Sequence, residues 1–155
     1  MQFQTPSRFS AGAPMHRRRD DHVLGDMVDR YGQRGGLAST DELVHLMRPH
    51  WRQPVSVLAR WIVDRKVLSF AWHGQILLPA FQFESPRMTP NQAIAECSRE
   101  LGDTVDDEAF AAWFIRPDDG LGGNSPLDLL SSHPDVVIEA AARTRAAFTI
   151  RRAAH

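Results

Sequence analysis

Apolar residues recur every three or four positions along most of the chain, and this spacing predicts amphipathic helices. The clearest case runs from Asp20 to Gln33, where Val23, Met27 and Tyr31 fall on one face. Gly35 supplies a stop signal for this helix, because glycine adopts the left-handed conformation without a steric penalty. Repetition of this pattern predicts a mainly helical chain.

Local signals mark where the other helices begin. Ser39 followed by Glu42 matches a capping box, Pro54 suits the first position of a helix, and Asp106 is a typical N-cap. The helix that Asp106 opens is expected to end before Pro117. Three further helices are predicted to begin at Thr89–Gln92, at Ser125–Pro126 and at Pro134, the last of them reaching about Phe148.

The spacing changes after Lys66. Leu68, Phe70 and Trp72 alternate with small or polar residues, and His73-Gly74 is a plausible two-residue turn before the apolar run at 75–78. This stretch predicts one β-hairpin. The expected fold class is therefore mainly α, a compact helical domain with one short β-hairpin.

Composition narrows the class of protein. The 155 residues are 43% hydrophobic and 24% charged, as in ordinary globular domains. No apolar run approaches the roughly 20 residues that a membrane-spanning helix needs. The first residues lack the pattern of a secretory signal, and the single cysteine, Cys97, is predicted to be a small core residue on the apolar face of a helix. We expect a cytoplasmic protein without a membrane partner.

Charge is unevenly distributed although the net charge is only −1. Residues 1–19 form a basic arm, 103–119 are acidic, and 143–152 are basic again. With the helix pattern, this predicts three parts: the arm 1–19, a helical region 20–84 with a helix-turn-helix-like pair and the hairpin, and a helical domain 85–152. An acidic or basic run is most often a solvated surface.

Catalytic chemistry finds little support in the sequence. The seven histidines show no metal-ligand spacing, and no serine lies in a nucleophile-elbow pattern. Glycines 120, 122 and 123 lack the lysine and the preceding strand of a phosphate-binding loop, so they predict a tight turn. We expect no enzyme activity, no metal and no cofactor.

Two blocks of sequence resemble a known family. The first is Leu77-Leu78-Pro79-Ala80-Phe81-Gln82-Phe83; the second combines Trp113-Phe114-Ile115-Arg116-Pro117 with the run LGGNSPLDLL at 121–130. Both occur in the order found in the toxin-binding domain of the Xre/MbcA/ParS antitoxins. The resemblance covers about Thr40 to Ala147, and most of its residues are expected to determine the fold.

The resemblance implies an antitoxin that neutralises a cognate toxin of the RES type, an enzyme that attacks NAD, and that represses its own operon by binding operator DNA as a homodimer. The residues expected to contact the toxin are Gly122, Gly123, Asn124, Arg143, Arg145, Phe148, Arg151 and Arg152. This sequence departs from the family at Asp118, often asparagine there, and at Asn124, often basic. These differences affect contacts at the turn.

The region before the hairpin is too short for the five-helix DNA-binding domain of the Xre type. It predicts a reduced helix-turn-helix, in which Arg52, Arg60 and Arg65 would contact phosphates or bases from the second helix. The polar face of a packed helix explains these arginines equally well. Two alternatives therefore stay open: a small DNA-binding regulator without a toxin, and an interaction adaptor that has lost both partners.

Overall fold

A computed structural model describes residues 15–154, with side-chain positions from residue 22 onward. The helices in this part of the chain are α1 (Met15–Gly32), α2 (Thr40–Met47), α3 (Pro54–Val63), α4 (Gln92–Leu101), α5 (Asp107–Ile115), α6 (Pro126–Leu129) and α7 (Pro134–Ala153). The strands are β1 (Leu37–Ser39), β2 (Phe70–Trp72), β3 (Gln75–Pro79), β4 (Phe83–Glu84) and β5 (Thr89–Pro90). The predicted mainly α fold is confirmed. The predicted basic arm 1–19 lies largely outside the described residues.

The predicted helix caps are mostly present. Ser39 Oγ accepts the backbone N–H of Glu42 at 3.2 Å, and the Glu42 carboxylate accepts the Ser39 N–H at 3.4 Å, completing the capping box. Asp106 caps α5 through the Ala109 N–H. The cap of α4 is Asn91, so the cap predicted at Thr89 is wrong.

Strand pairing explains that error and extends the predicted hairpin. Thr89 pairs with Glu84 in a separate two-stranded sheet, which keeps it out of the helix. The hairpin of β2 and β3 is confirmed, and its turn residues His73 and Gly74 have φ values of 47° and 75°, as a tight hairpin requires. Strand β1 joins β3 on its other side, with Ala38 opposite Leu78. The predicted single hairpin is thus part of a three-stranded sheet.

The chain order of the first half is helix, strand, helix, helix and then two strands, and the sheet order is β1-β3-β2. Helices α2 and α3 pack against each other beside this sheet. This connectivity is that of a helix-turn-helix pair followed by a β-hairpin wing. Helix α3 is the second helix of this pair. We call α2, α3 and the three-stranded sheet together the winged pair.

Two apolar clusters hold the described residues together. One joins α2, α3 and the sheet through Leu43, Met47, Leu58 and Leu78. The other joins α1 to α4, α5, α6 and α7; its fully buried members include Met27, Tyr31, Leu68, Ile94, Leu101, Phe114 and Val137. Helix α1 therefore packs on the C-terminal helices, although it directly precedes the winged pair in the chain.

Gln82, the glutamine between the two phenylalanines of the Phe-Gln-Phe segment, has a structural role. Its side chain is fully buried, where Oε1 accepts the Leu68 N–H at 2.6 Å and Nε2 donates to the carbonyls of Leu68 and Pro79. A buried amide is stable only when its donors and acceptors are paired. The flanking aromatics pack in different clusters: Phe81 stacks on Tyr31 in the larger cluster, whereas Phe83 packs on the cluster of α2 and α3.

None of the helices in residues 15–154 combines the length and the apolar content needed to cross a membrane.

Candidate functional site

The predicted turn at 118–124 forms a closed loop around Leu121. Asp118 donates its backbone N–H to Asn124 O at 3.0 Å, and Asp118 O accepts from Gly123 N at 3.0 Å. Leu121 is buried beneath the loop. Gly122 and Gly123 have φ values of 67° and 83°, a region that favours glycine. The prediction of a structured turn is confirmed.

The two departures from the family pattern have local explanations. Asp118 Oδ1 accepts the Gly120 N–H at 2.7 Å, and an asparagine side-chain oxygen can accept the same hydrogen bond. Asn124 Nδ2 donates to Leu121 O at 3.1 Å. Both side chains therefore stabilise the turn, and the exposed surface of Asn124 carries no charge.

Arg143 lies directly against this turn. A Cβ atom added at Gly120 would be 2.7 Å from Arg143 Nη2, so glycine at this position leaves room for the guanidinium. The structure thus brings together one arginine of α7 and the turn that carries Gly122, Gly123 and Asn124. Arg143 forms no ion pair with another described residue.

Arg145 lies at a different turn. A Cβ atom at Gly102 would be 3.7 Å from Arg145 Cζ, which places this guanidinium beside the connection between α4 and α5. Residues two positions apart project about 200° apart around a helix. Arg143 and Arg145 therefore do not share one face, although the sequence pattern groups them.

The C-terminal end of α7 extends past the helices that support it. Thr144 is the last half-buried residue, and its Oγ1 accepts the indole N–H of Trp113 at 3.1 Å. All residues from Arg145 to Ala154 are exposed, including Phe148 and Ile150. The helix was predicted to end near Phe148, whereas it continues to Ala153, so Arg151 and Arg152 are helical.

The three arginines predicted to bind DNA are in different environments. Arg60 is exposed on α3 itself, as predicted, whereas Arg52 is exposed in the turn before α3, so its predicted position on this helix is wrong. Arg65 lies beyond the end of α3, so its predicted position on this helix is wrong. Its guanidinium donates to the carbonyls of Gly102 and Val105 and lies 3.2 Å from Asp107 Oδ1.

A polar cluster that the sequence patterns did not predict joins α1 to α6. Asp128 Oδ1 accepts from Arg34 at 2.8 Å, and Asp128 Oδ2 lies 3.7 Å from Arg30 Nη2. The hydrogen bond from Ser125 is the largest of the effects that lower the pKa of Asp128, and the two arginines act in the same direction. Asp128 also completes the capping box with Ser125, and the S-x-x-D spacing was the available signal.

Metal-ligand clusters and reactive thiols were the remaining candidates among residues 15–154. Within this range, no group of three His, Cys, Asp or Glu side chains is placed to hold a metal ion. Cys97 is fully buried, as predicted, and burial is the main cause that raises the pKa of its thiol to about 12. The buried thiol of Cys97 is therefore not activated for nucleophilic attack.

Comparison with known proteins found no matching family model, no matching curated protein and no matching solved structure.

Proposed function

We propose that this protein is an antitoxin-like binding module that docks the exposed end of α7, residues 145–153, on a cognate toxin of the RES type. The observation that carries the proposal is the extension of α7 beyond its supporting helices. The sequence blocks that resemble the Xre/MbcA/ParS toxin-binding domain build the body from which this helix projects. The supporting observations are its apolar stripe and its charge.

The apolar stripe of α7 continues into the exposed end. Val137, Ala141, Thr144 and Phe148 follow one another at spacings of four, three and four, which places them on one face. The first two are fully buried, whereas Phe148 is 40% exposed because no other described helix covers it. A partner that covers this face would bury an aromatic anchor, as helix-in-groove complexes do.

The charge of the segment specifies the surface it fits. Residues 145–153 contain three arginines and no carboxylate, and these arginines make no ion pair with a described residue. Opposite charge across an interface accelerates association and favours the correct orientation. The toxin surface should therefore be acidic around an apolar groove. A cleft that binds NAD is itself expected to be basic, so this acidic surface would form the rim of the cleft.

The proposal is tested by co-expressing the chain with the protein encoded beside it and scoring growth rescue and co-purification together. Phe148→Ala combined with Arg151→Glu and Arg152→Glu should weaken the complex by more than about tenfold, since it removes the anchor and reverses two charges. Arg48→Glu with Arg116→Glu is the matched control for charge. Unchanged rescue and affinity in the α7 variant, with the fold intact, would reject the proposal.

A second function, operator binding, is favoured by the winged helix-turn-helix connectivity. In such pairs the second helix enters the major groove and a neighbouring element contacts the backbone. Helix α3 presents Arg60 there, with Arg52 just before it, both exposed. Arg65 is engaged with the connection between α4 and α5 and is left out of the proposed interface.

Operator binding is measured by a salt-titrated mobility shift with DNA from upstream of the coding sequence. Arg52→Gln with Arg60→Gln should weaken binding and lower the salt slope by about two, one unit for each lost phosphate contact. The α7 variant should bind DNA normally, and the α3 variant should bind toxin normally. If the protein binds DNA as the proposed homodimer, the operator should contain two half-sites about one turn of the DNA helix apart. Sedimentation with and without DNA measures whether the dimer forms.

A further inference from the structure

A second site lies where the winged pair meets the C-terminal helices. A cleft of about 540 Å³ opens between the end of α3 and the start of α4, within the size range of small-molecule sites. Trp61 and Lys66 line it from the side of α3, and Arg99 lines it from α4. None of these residues belongs to the proposed toxin or DNA interfaces.

Two indole rings form the apolar wall of the cleft. Trp51 and Trp61 meet edge to face, with centroids 5.6 Å apart and planes 88° apart. Trp51 is fixed because its Nε1 donates to Arg87 O at 2.7 Å, and the Arg87 guanidinium lies 5.0 Å from its ring centroid. Fixed aromatic walls favour flat ligands, since stacking then costs little ordering of the protein.

The charges around the cleft favour an anion. Lys66 and Arg99 are exposed and form no ion pair with any described residue. Asp64 is the carboxylate in the lining, so two positive charges and one negative charge leave a local sum of +1. The combination of an apolar corner formed by two indoles and two cations without an ion pair among the described residues is suited to a planar ring that carries an anionic group.

We propose that this cleft binds a small planar aromatic anion, such as a purine mononucleotide or an aromatic carboxylate. This inference goes beyond the proposed function and does not depend on it. The ring would stack on the face of one indole and meet the other edge to face, and the anionic group would be held by Lys66 and Arg99. A bound ligand would contact residues on both sides of the junction.

Lys66 is the only lysine of the chain, which gives the test a specific probe. Reductive methylation with ¹³C-formaldehyde labels Lys66 and the N-terminal amine, and the two signals are followed by NMR while ligand is added to the full chain. AMP is the probe for a purine mononucleotide, and indole-3-acetate is the probe for an aromatic carboxylate. Adenosine keeps a ring without the anion, and ribose 5-phosphate keeps the anion without the ring.

Saturable movement of the Lys66 signal with AMP, with indole-3-acetate or with both supports the site and identifies its ligand class. Adenosine and ribose 5-phosphate should bind at least about tenfold more weakly. If adenosine or ribose 5-phosphate bound as tightly as AMP, the requirement for a ring and an anionic group in one ligand would be overturned. Absence of saturation up to about 10 mM for both charged rings would overturn the proposal.

A variant separates binding in the cleft from general attraction to cations. Arg99→Gln should weaken binding by about tenfold, because it removes one of the two charges that hold the anion. Arg152→Gln removes the same charge at the far end of α7 and should leave the affinity unchanged. Equal losses in the two variants would show non-specific binding and overturn the assignment.

Discussion

One buried hydroxyl contributes to the docking of α1 on the C-terminal helices. Tyr31 is fully buried, donates its hydroxyl hydrogen to Ala111 O at 2.6 Å and stacks on Phe81 with ring centroids 5.9 Å apart. Tyr31→Phe keeps the stacked ring and removes the hydrogen bond between α1 and α5. We expect the variant to lose about 1 kcal/mol of unfolding free energy at neutral pH, which corresponds to a melting temperature lower by about 3 °C.

Alkaline pH should reverse this difference. Burial raises the pKa of Tyr31 above its ordinary value of 10.0, so the folded protein holds the neutral phenol while the unfolded chain ionises near that value. The contribution of this group to stability is therefore complete below about pH 10 and falls by up to about 1.4 kcal/mol for each pH unit above it. The Tyr31→Phe variant has no phenol to ionise and escapes this loss, so the two stabilities should converge at about pH 11.

The assay combines tyrosinate absorbance with circular dichroism during an alkaline titration. Because Tyr31 is the only tyrosine of the chain, the absorbance reports this residue alone. We expect ionisation and loss of helical signal in a single transition. Tyrosinate formation at about pH 10, the value for an exposed phenol, with the helical signal unchanged would refute the buried hydroxyl and the packing of α1.

Three further predictions concern other residues. Asp128→Asn should destabilise the protein at neutral pH. The difference should shrink as pH falls through the lowered pKa of Asp128, because its stabilisation is present above the unfolded pKa and is lost in acid. Denaturant melts in a series from neutral pH into the acid range measure this. The Cys97 thiol should react with a thiol reagent only on unfolding, since it is buried with a raised pKa; reaction at the rate of a free thiol in the folded state would contradict it. Gly123→Ala should cost about 1 kcal/mol because its φ of 83° is left-handed, whereas Gly25→Ala inside α1 should be neutral or stabilising; thermal melts of the pair provide the comparison, and equal effects would contradict the role of backbone strain.

Signals that act over a few residues made most of the helices predictable. The capping box at Ser39 and the cap at Asp106 depend on hydrogen bonds three residues apart, and the left-handed Gly122 and Gly123 turn depends on local backbone strain. Interactions between residues this close in the chain can be predicted from the spacing of residue types along the sequence. The cap at Thr89 was misassigned because Thr89 pairs instead with Glu84, a competition that spacing alone does not reveal.

Features that depend on distant residues were missed. Strand β1 has three residues, and its pairing of Ala38 with Leu78 has no periodicity long enough to detect. The contact between Arg34 and Asp128 spans 94 positions, so only the three-dimensional fold brings the two together. Arg65 was assigned to a DNA-facing helix for the same reason, because its partners Gly102 and Val105 come from a different part of the chain.

The candidate interface was predictable in composition but not in shape. The arginines of 143–152 and Phe148 are visible in the sequence, and the helix that carries them extends to Ala153 in the structure. Their separation into different faces depends on which neighbours cover α7: Arg143 lies at the 118–124 turn and Arg145 beside Gly102. The unsupported end could not be predicted, because it is defined by the absence of packing from helices elsewhere in the described fold.

The exposed end of α7 is proposed to bind a partner protein, and this claim is central to the function. Its most direct test is the affinity of the protein encoded beside this chain for the full chain and for a chain ending at Ala147, which keeps the hydrogen bond between Thr144 and Trp113. We expect a stable complex with the full chain and an affinity lower by more than about tenfold for the shortened chain, with similar melting temperatures. Equal affinities would contradict the claim.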